Sequence, residues 1–289
     1  MGSRDILRRI KSVKNTQQIT KAMKAVSASR LRKAQASMLA ARPYANKLVG
    51  VLGSMAARVN RDAHPLLAVR GTRKVELVVL TSDRGLCGSY NTNILKRTIA
   101  LYQEKVEQGC EVTINVVGRK GRDFLKRRDY PIRKEWSGIS GRLNYNHAAM
   151  IGQEIIDNFA KEEVDEVYLV YNEFKTALTQ KVISDKLLPI EAPTAASGNP
   201  APDAGDYIYE PSAEVVLETL LPKHVEFQVY RALLESEASE LGSRMTAMDA
   251  ASNNAREMIG KLTLKYNKAR QAAITKELME IIAGAEALA

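Results

Sequence analysis

The chain has 289 residues, 45% of them hydrophobic and 26% charged, with a formal net charge of +10. That much apolar material excludes a chain disordered throughout, and no stretch approaches the ~18 consecutive apolar residues of a membrane span. The opening MGSRDILRR has no hydrophobic leader, and Cys87 and Cys110 have neither metal nor disulfide spacing, so a soluble, unsecreted protein with reduced thiols is expected. The three histidines, His64, His147 and His224, are too scattered for a His-based metal or catalytic cluster.

The excess charge is segregated. Residues 1–60 carry thirteen Lys and Arg against one acid, Asp5; residues 61–211 balance 21 bases with 21 acids, and residues 212–289 hold nine against eleven. The opening segment is therefore expected to face something acidic: a protein, a nucleic acid or a membrane surface.

From residue 3 to 42 there is no Gly or Pro, and Ala, Lys, Arg, Gln, Met and Leu dominate, which predicts one long helix continuing to about residue 59 with a bend at Pro43. Alternate steps of four and three from Ile6 reach Ile10, Val13, Gln17, Thr20, Lys24, Ser27, Leu31, Ala34, Met38, Ala41, Ala45, Leu48, Leu52, Met55 and Val59. This 3.5-residue period is that of a supercoiled helix pair, and the consecutive polar members Gln17 to Ser27 read as a gap in the seam reserved for another partner.

The middle changes character. Residues 75–81 (VELVVLT) form a continuous β-branched run; 92–108 read as a helix, 111–117 (EVTINVV) as a strand, 121–128 as a short helix, 145–161 as a helix, 167–171 (VYLVY) as a buried strand and 176–183 as a more polar strand. Strand alternating with helix predicts a small Rossmann-like α/β domain with a mostly parallel sheet. Five of the nine prolines fall in 189–211, a return loop, after which 212–288 reads as a second long helix. Its seam, Leu241, Met245, Met248, Ser252, Ala255, Ile259, Leu262, Tyr266, Ala269 and Ala273, repeats the same period and supplies the partner for the first. The expected fold class is α/β: an antiparallel coiled coil of terminal helices, longer than the body of the protein can cover, plus the small α/β domain. The expected divisions are 1–60, 61–211 and 212–289.

Two constellations invite chemistry. The turn at 82–91 (SDRGLCGSYN) follows the first strand, where α/β folds bind ligands, but it lacks GxGxxG spacing and the GKS/T ending of a phosphate loop, so a structural turn is the expectation. Cys87 within it has no neighbouring base in sequence and reads as a buried thiol. The basic run at 118–128 could grip phosphates, and reads as the solvated face of a short helix.

Several segments together resemble the gamma subunits of F-type ATP synthases: ILRRIKSVKNTQQITKAMKAVSASRLRKAQ at the start, TSDRGLCGSYN, YIYEPS, SRMTAMDAASNNA, and ITKELMEIIAGAEA near the end. The match runs the length of the chain in order. The resemblance implies a central-stalk rotor without catalytic residues or cofactors, its helix hairpin inside a hexamer of alpha and beta subunits and its globular domain joined to the epsilon subunit and the membrane c-ring. It implies contact with membrane only through that ring, on the cytoplasmic side of a bacterial cell membrane. By the same resemblance Arg8, Arg9, Met23, Lys24 and Arg244 would face acidic lever loops of the beta subunits. Arg270, Gln271 and Thr275 would hydrogen-bond a beta subunit higher up, and the last turns beyond Ile281 would sit in an apolar bearing. Tyr207, Tyr209 and Glu210 would form the foot on the ring. The dithiol insertion of plastid members has no counterpart here. The competing class, a nucleic-acid-binding coiled coil, is weakened by Tyr44 being the only aromatic in the first sixty residues.

Overall fold

A computed structural model describes residues 3–56, 64–190, 210 and 212–286. The chain divides into two compact units, Met1–Ala28 with Arg244–Ala289, and Ser29–Ser243. Two long helices, α1 (Ser3–Ala56) and α5 (Ala213–Glu286), contribute to both, with Pro43 and Pro222 lying inside them.

The larger unit is built on five strands: β1 (Lys74–Leu80), β2 (Glu111–Val117), β3 (Ile132–Trp136), β4 (Glu166–Phe174) and β5 (Gln180–Leu188). Their order is β3-β2-β1-β4-β5; the first four are parallel and β5 runs antiparallel to β4. The intervening helices are α2 (Tyr90–Glu107), α3 (Arg119–Lys126) and α4 (Tyr145–Ala160). Val75, Leu77 and Val79 of β1 face Ile94, Leu95 and Leu125 of α2 and α3. Val78 and Leu80 face Ile151, Ile155 and Phe159 of α4, with Leu48 and Leu52 of α1 and Leu221, Val225 and Val229 of α5. Helices on both faces explain the unbroken apolar run of β1, since neither face can be polar. Its one ionisable interior member, Glu76, is nevertheless fully buried.

Local signals agree with these elements. Asn144 caps α4 by accepting from His147 N at 3.1 Å, while His147 Nδ1 accepts from Asn144 N at 3.3 Å, a reciprocal capping box. Gly118 sits at φ +98 immediately before α3, where a Cβ would lie 2.3 Å from Thr81 O; only glycine lets this turn meet the end of β1. The short helix accordingly starts at Arg119, two residues before the sequence signal.

Three differences from the sequence reading have physical causes. β3 was not anticipated, because it is an edge strand whose central Arg133, Lys134 and Glu135 are exposed, leaving no apolar alternation. The polar strand lies later than expected: Thr176 N donates to Thr179 O, and Thr176 Oγ1 accepts from Leu178 and Thr179 N, which makes 176–179 the hairpin turn and starts β5 at Gln180. The gap in the first helix seam is also corrected. Thr20 and Ser27 are 8% and 2% exposed, so the seam continues through them. Thr20 Oγ1 donates to Gln17 O at 3.0 Å and Ser27 Oγ to Met23 O at 2.8 Å. Each hydroxyl is satisfied within its own helix and presents mainly its carbon atoms to the seam.

Candidate functional site

In the smaller unit the seam carries Ile6, Ile10, Thr20 and Ser27 on α1 and Met248, Ser252 and Ala255 on α5, all buried. Every polar member is small, which lets the backbones approach closely at little loss of apolar burial. Lys24 Nζ bonds Asp249 Oδ1 at 2.6 Å. Both side chains are nearly half exposed, so the pair contributes at most about 1 kcal/mol and acts chiefly as a register mark. Because the helices run antiparallel, the 21 residues from Lys24 back to Ser3 lead to about residue 270 on α5. Exposure follows this register: members of the α5 seam up to Ala269 are buried or half-buried, and residues 270–285 are exposed without exception. The end of α5 is therefore a single helix with its full circumference outward.

Two features make this unit unlike a finished surface. Residues 3–28 and 244–286 hold fourteen Lys and Arg against six Asp and Glu. They also expose Leu7, Ile19, Val26, Met258, Leu264, Ile274, Leu278, Met279, Ile281 and Ile282, ten large hydrophobic side chains on two narrow helices. Among the expected contact residues, Arg8 and Arg9 are exposed, Met23, Lys24 and Arg244 are half-buried beside the seam, and Arg270, Gln271 and Thr275 lie on the lone segment. Thr275 Oγ1 donates to Gln271 O at 3.0 Å, within the same helix. Glu210 is exposed; Tyr207 and Tyr209 lie outside the described residues.

The turn after β1 is tied down from all sides. Ser82 Oγ donates to Arg84 O at 2.7 Å, Asn91 Nδ2 donates to Ser82 Oγ and Cys87 Sγ, and Ser243 Oγ donates to Cys87 O at 2.7 Å. Asp83 accepts from the backbone N–H groups of Arg119, Gly138 and Ser140 at 3.0 to 3.3 Å, joining the ends of β1, β2 and β3. The side chains of Ser82, Asp83, Cys87 and Asn91 in this turn are thus engaged in fastening loops. In the basic run, Arg122 and Lys126 pair with Glu135 of the neighbouring edge strand, so part of its charge is balanced on the spot. Among the described residues no group of three or more His, Cys, Asp and Glu is placed to hold a metal ion, and no helix is long and apolar enough to cross a membrane.

Comparison with known proteins agrees with this architecture. A family model described as ATP synthase matches residues 2–288. The ATP synthase gamma chain of Geotalea daltonii is 52% identical over 285 residues, covering 99% of this chain and 98% of the relative. That of Anaeromyxobacter sp. is 53% identical over 293 residues with the same coverage. Among solved structures, a chain of the Tetrahymena thermophila mitochondrial ATP synthase central stalk and c-ring aligns over 81% of this chain and 99% of its own, at TM-score 0.61 and 28% identity. A rotor chain of the Euglena gracilis enzyme, at 20% identity, shares the fold at TM-score 0.69 over 94% of this chain and 98% of its own. With one architecture and a full-length match at half identity, the chain belongs to the ATP synthase gamma-chain family.

Proposed function

We propose that this chain is the central-stalk rotor of a bacterial F-type ATP synthase, a non-catalytic subunit that converts rotation driven by ion flow into conformational cycling of the beta subunits. The observation that carries the proposal is the unfinished surface of the terminal helix pair: basic, studded with exposed apolar side chains and ending in a lone helix, it is suited to a surrounding sleeve. A shaft with no rotational symmetry presents a different face to each surrounding subunit. Chemically identical sites are thereby biased into different states, and occupancy of those sites biases the shaft angle in return.

In this reading Arg8, Arg9, Met23, Lys24 and Arg244 meet acidic lever loops of the beta subunits, and Arg270, Gln271 and Thr275 bond a beta subunit near the far end. The apolar side chains from Ile281 onward turn in the bearing. Tyr207, Tyr209 and Glu210 form the foot on the c-ring, with the epsilon subunit beside the α/β unit, and the complex lies peripherally on the cytoplasmic side of the cell membrane. The engaged turn at 82–91 supports a role without chemistry of its own. Co-expression with the alpha and beta subunits of the same organism tests the assignment. A stoichiometric ATPase complex is expected, with no ATP hydrolysis by the chain alone. Failure to co-purify together with salt-dependent retention on DNA would favour the nucleic-acid-binding class instead.

A further inference from the structure

Beneath α4, near the amino ends of β1 and β2, the apolar floor of the sheet is broken by a cluster of polar side chains. Glu76 and Asn115 are both 0% exposed, and the register pairs Glu76 with Thr113 and Val78 with Asn115, so Glu76, Thr113 and Asn115 share one face of adjacent strands. Asn158 of α4 closes it from above, its Nδ2 donating to Glu76 Oε2 at 3.3 Å. Glu76 Oε1, Thr113 Oγ1 and both carboxamide atoms of Asn115 are buried with no partner among the protein's own groups. A buried polar atom without a partner forfeits the hydrogen bond that water gave it in the unfolded chain, and four such atoms on three neighbouring side chains call for a partner.

We propose that Glu76, Thr113 and Asn115 bind one or two exchangeable water molecules in a polar chamber beneath α4. An internal water needs two to four polar partners, and this set offers an acceptor from the carboxyl, a hydroxyl that gives and accepts, and a carboxamide with both functions. A metal cation suits the set poorly. The Arg133 guanidinium already lies 3.6 Å from Glu76 Oε2, and a cation on the Asn115 Oδ1 would leave the buried Asn115 Nδ2 donor still without an acceptor. Thr113 also lines an open cleft of about 450 Å³ with Lys74, Glu111, Arg133 and Glu163, which gives water a short route from the surface.

The chamber also takes up a proton. Burial pushes the Glu76 carboxyl up to about 7, against the opposing pull of Arg133 and the hydrogen bond from Asn158, with Glu154 of α4 adding to the rise. Around it Arg133 also pairs with Glu163 and Lys134 of β3 with Glu154, while Lys74 and Glu111 line the adjoining cleft. Near neutral pH the chamber exchanges a neutral acid for a carboxylate, and bound water is what can solvate the second form.

The test is nuclear magnetic resonance on the full chain labelled at glutamate carboxyl carbons, with Glu76 assigned by loss of its signal in Glu76→Gln, and with water contacts read at the Asn115 carboxamide protons. The expected result is long-lived water contact at those protons. Thr113→Val, which removes a hydroxyl while keeping the shape, should raise the Glu76 ionisation midpoint by about half a pH unit or more. Asn115→Leu should do the same; should that variant not fold, the wild-type water contacts and Thr113→Val decide alone. Carboxamide protons without water contact, or a Glu76 midpoint unmoved by Thr113→Val, would overturn the proposal.

Discussion

The two units solve the same burial problem in opposite ways. In the α/β unit each face of β1 is covered by helices, and Phe159, Leu77, Ile114 and Ile151 are sealed completely. In the helix pair a single seam of Ile, Met, Ala and hydroxyl residues is all that is buried, while ten large hydrophobic side chains face outward on 69 described residues. The larger unit exposes eight on 188 described residues. One unit is covered by its own chain; the other leaves large apolar side chains outward on both of its helices. Long helices need tertiary packing to persist, because local propensity contributes little per residue.

Cutting into each core separately gives the largest contrast. Phe159→Ala should lower the stability of the main cooperative transition by about 3–5 kcal/mol in denaturant unfolding. Ile6→Ala, at an equally buried seam position, should leave that transition in place and act on local opening of the helix pair. Equal shifts of one common transition would mean that the two units unfold together.

The next effect is a charge network confined to the α/β unit. Burial would raise the Glu166 carboxyl, but hydrogen bonds from Lys186 at 2.8 Å, Lys105 at 3.0 Å and Tyr168 at 3.0 Å outweigh it and hold the group at about 2, below its ordinary 4.5. The stability gained is present above pH 4.5 and lost as pH falls through about 2. Glu166→Gln should therefore cost about 2–3 kcal/mol at pH 7 and progressively less toward pH 2, read by chemical unfolding at each pH.

His224 gives a milder acid sensitivity in a different window. Burial lowers its imidazole from 6.5 to about 4, so the unfolded chain takes up a proton first and stability declines as pH falls from 6.5 toward 4. His224→Leu should flatten the unfolding midpoint across that interval. Glu76 acts with the opposite sign, its folded-state proton being lost with stability as pH rises from about 4.5 through 7; the double variant with Glu76→Gln should flatten both limbs.

The smallest effects belong to the helix pair. Ser27→Ala and Lys24→Gln should each change stability by under about 1 kcal/mol in hydrogen-exchange measurements on seam amides, since the Ser27 hydroxyl is bonded within its own helix and the Lys24–Asp249 pair is half exposed. A larger loss from Ser27→Ala would mean that the hydroxyl contributes to the seam beyond its bond to Met23 O.

These contrasts also explain what could be read from sequence. The 3.5-residue period located both seams, including the positions occupied by Thr20, Ser27 and Ser252, because spacing survives when residue type does not. Judging Thr20 and Ser27 by polarity misread them, since a hydroxyl can bond its own helix and still be buried. The strands β1, β2 and β4 were legible from β-branched runs; β3 was not, because an edge strand needs charge more than apolar alternation. Glu76 was hidden inside an apolar run, where nothing in sequence reveals which polar neighbours the adjacent strands bring. For the interaction surface, charge segregation gave the segment and the expectation of an acidic partner, while the individual expected contact residues came only with the family resemblance.

The central claim, that the helix pair is completed by a surrounding partner, is tested most directly by amide hydrogen exchange of the full chain, alone and assembled with alpha and beta subunits. Amides of 3–28 and 244–286 should exchange fast in the free chain, fastest beyond residue 270, and become strongly protected on assembly, while those of β1, β2 and β4 stay slow in both states. Equal protection of the helix pair with and without the partners would contradict the account.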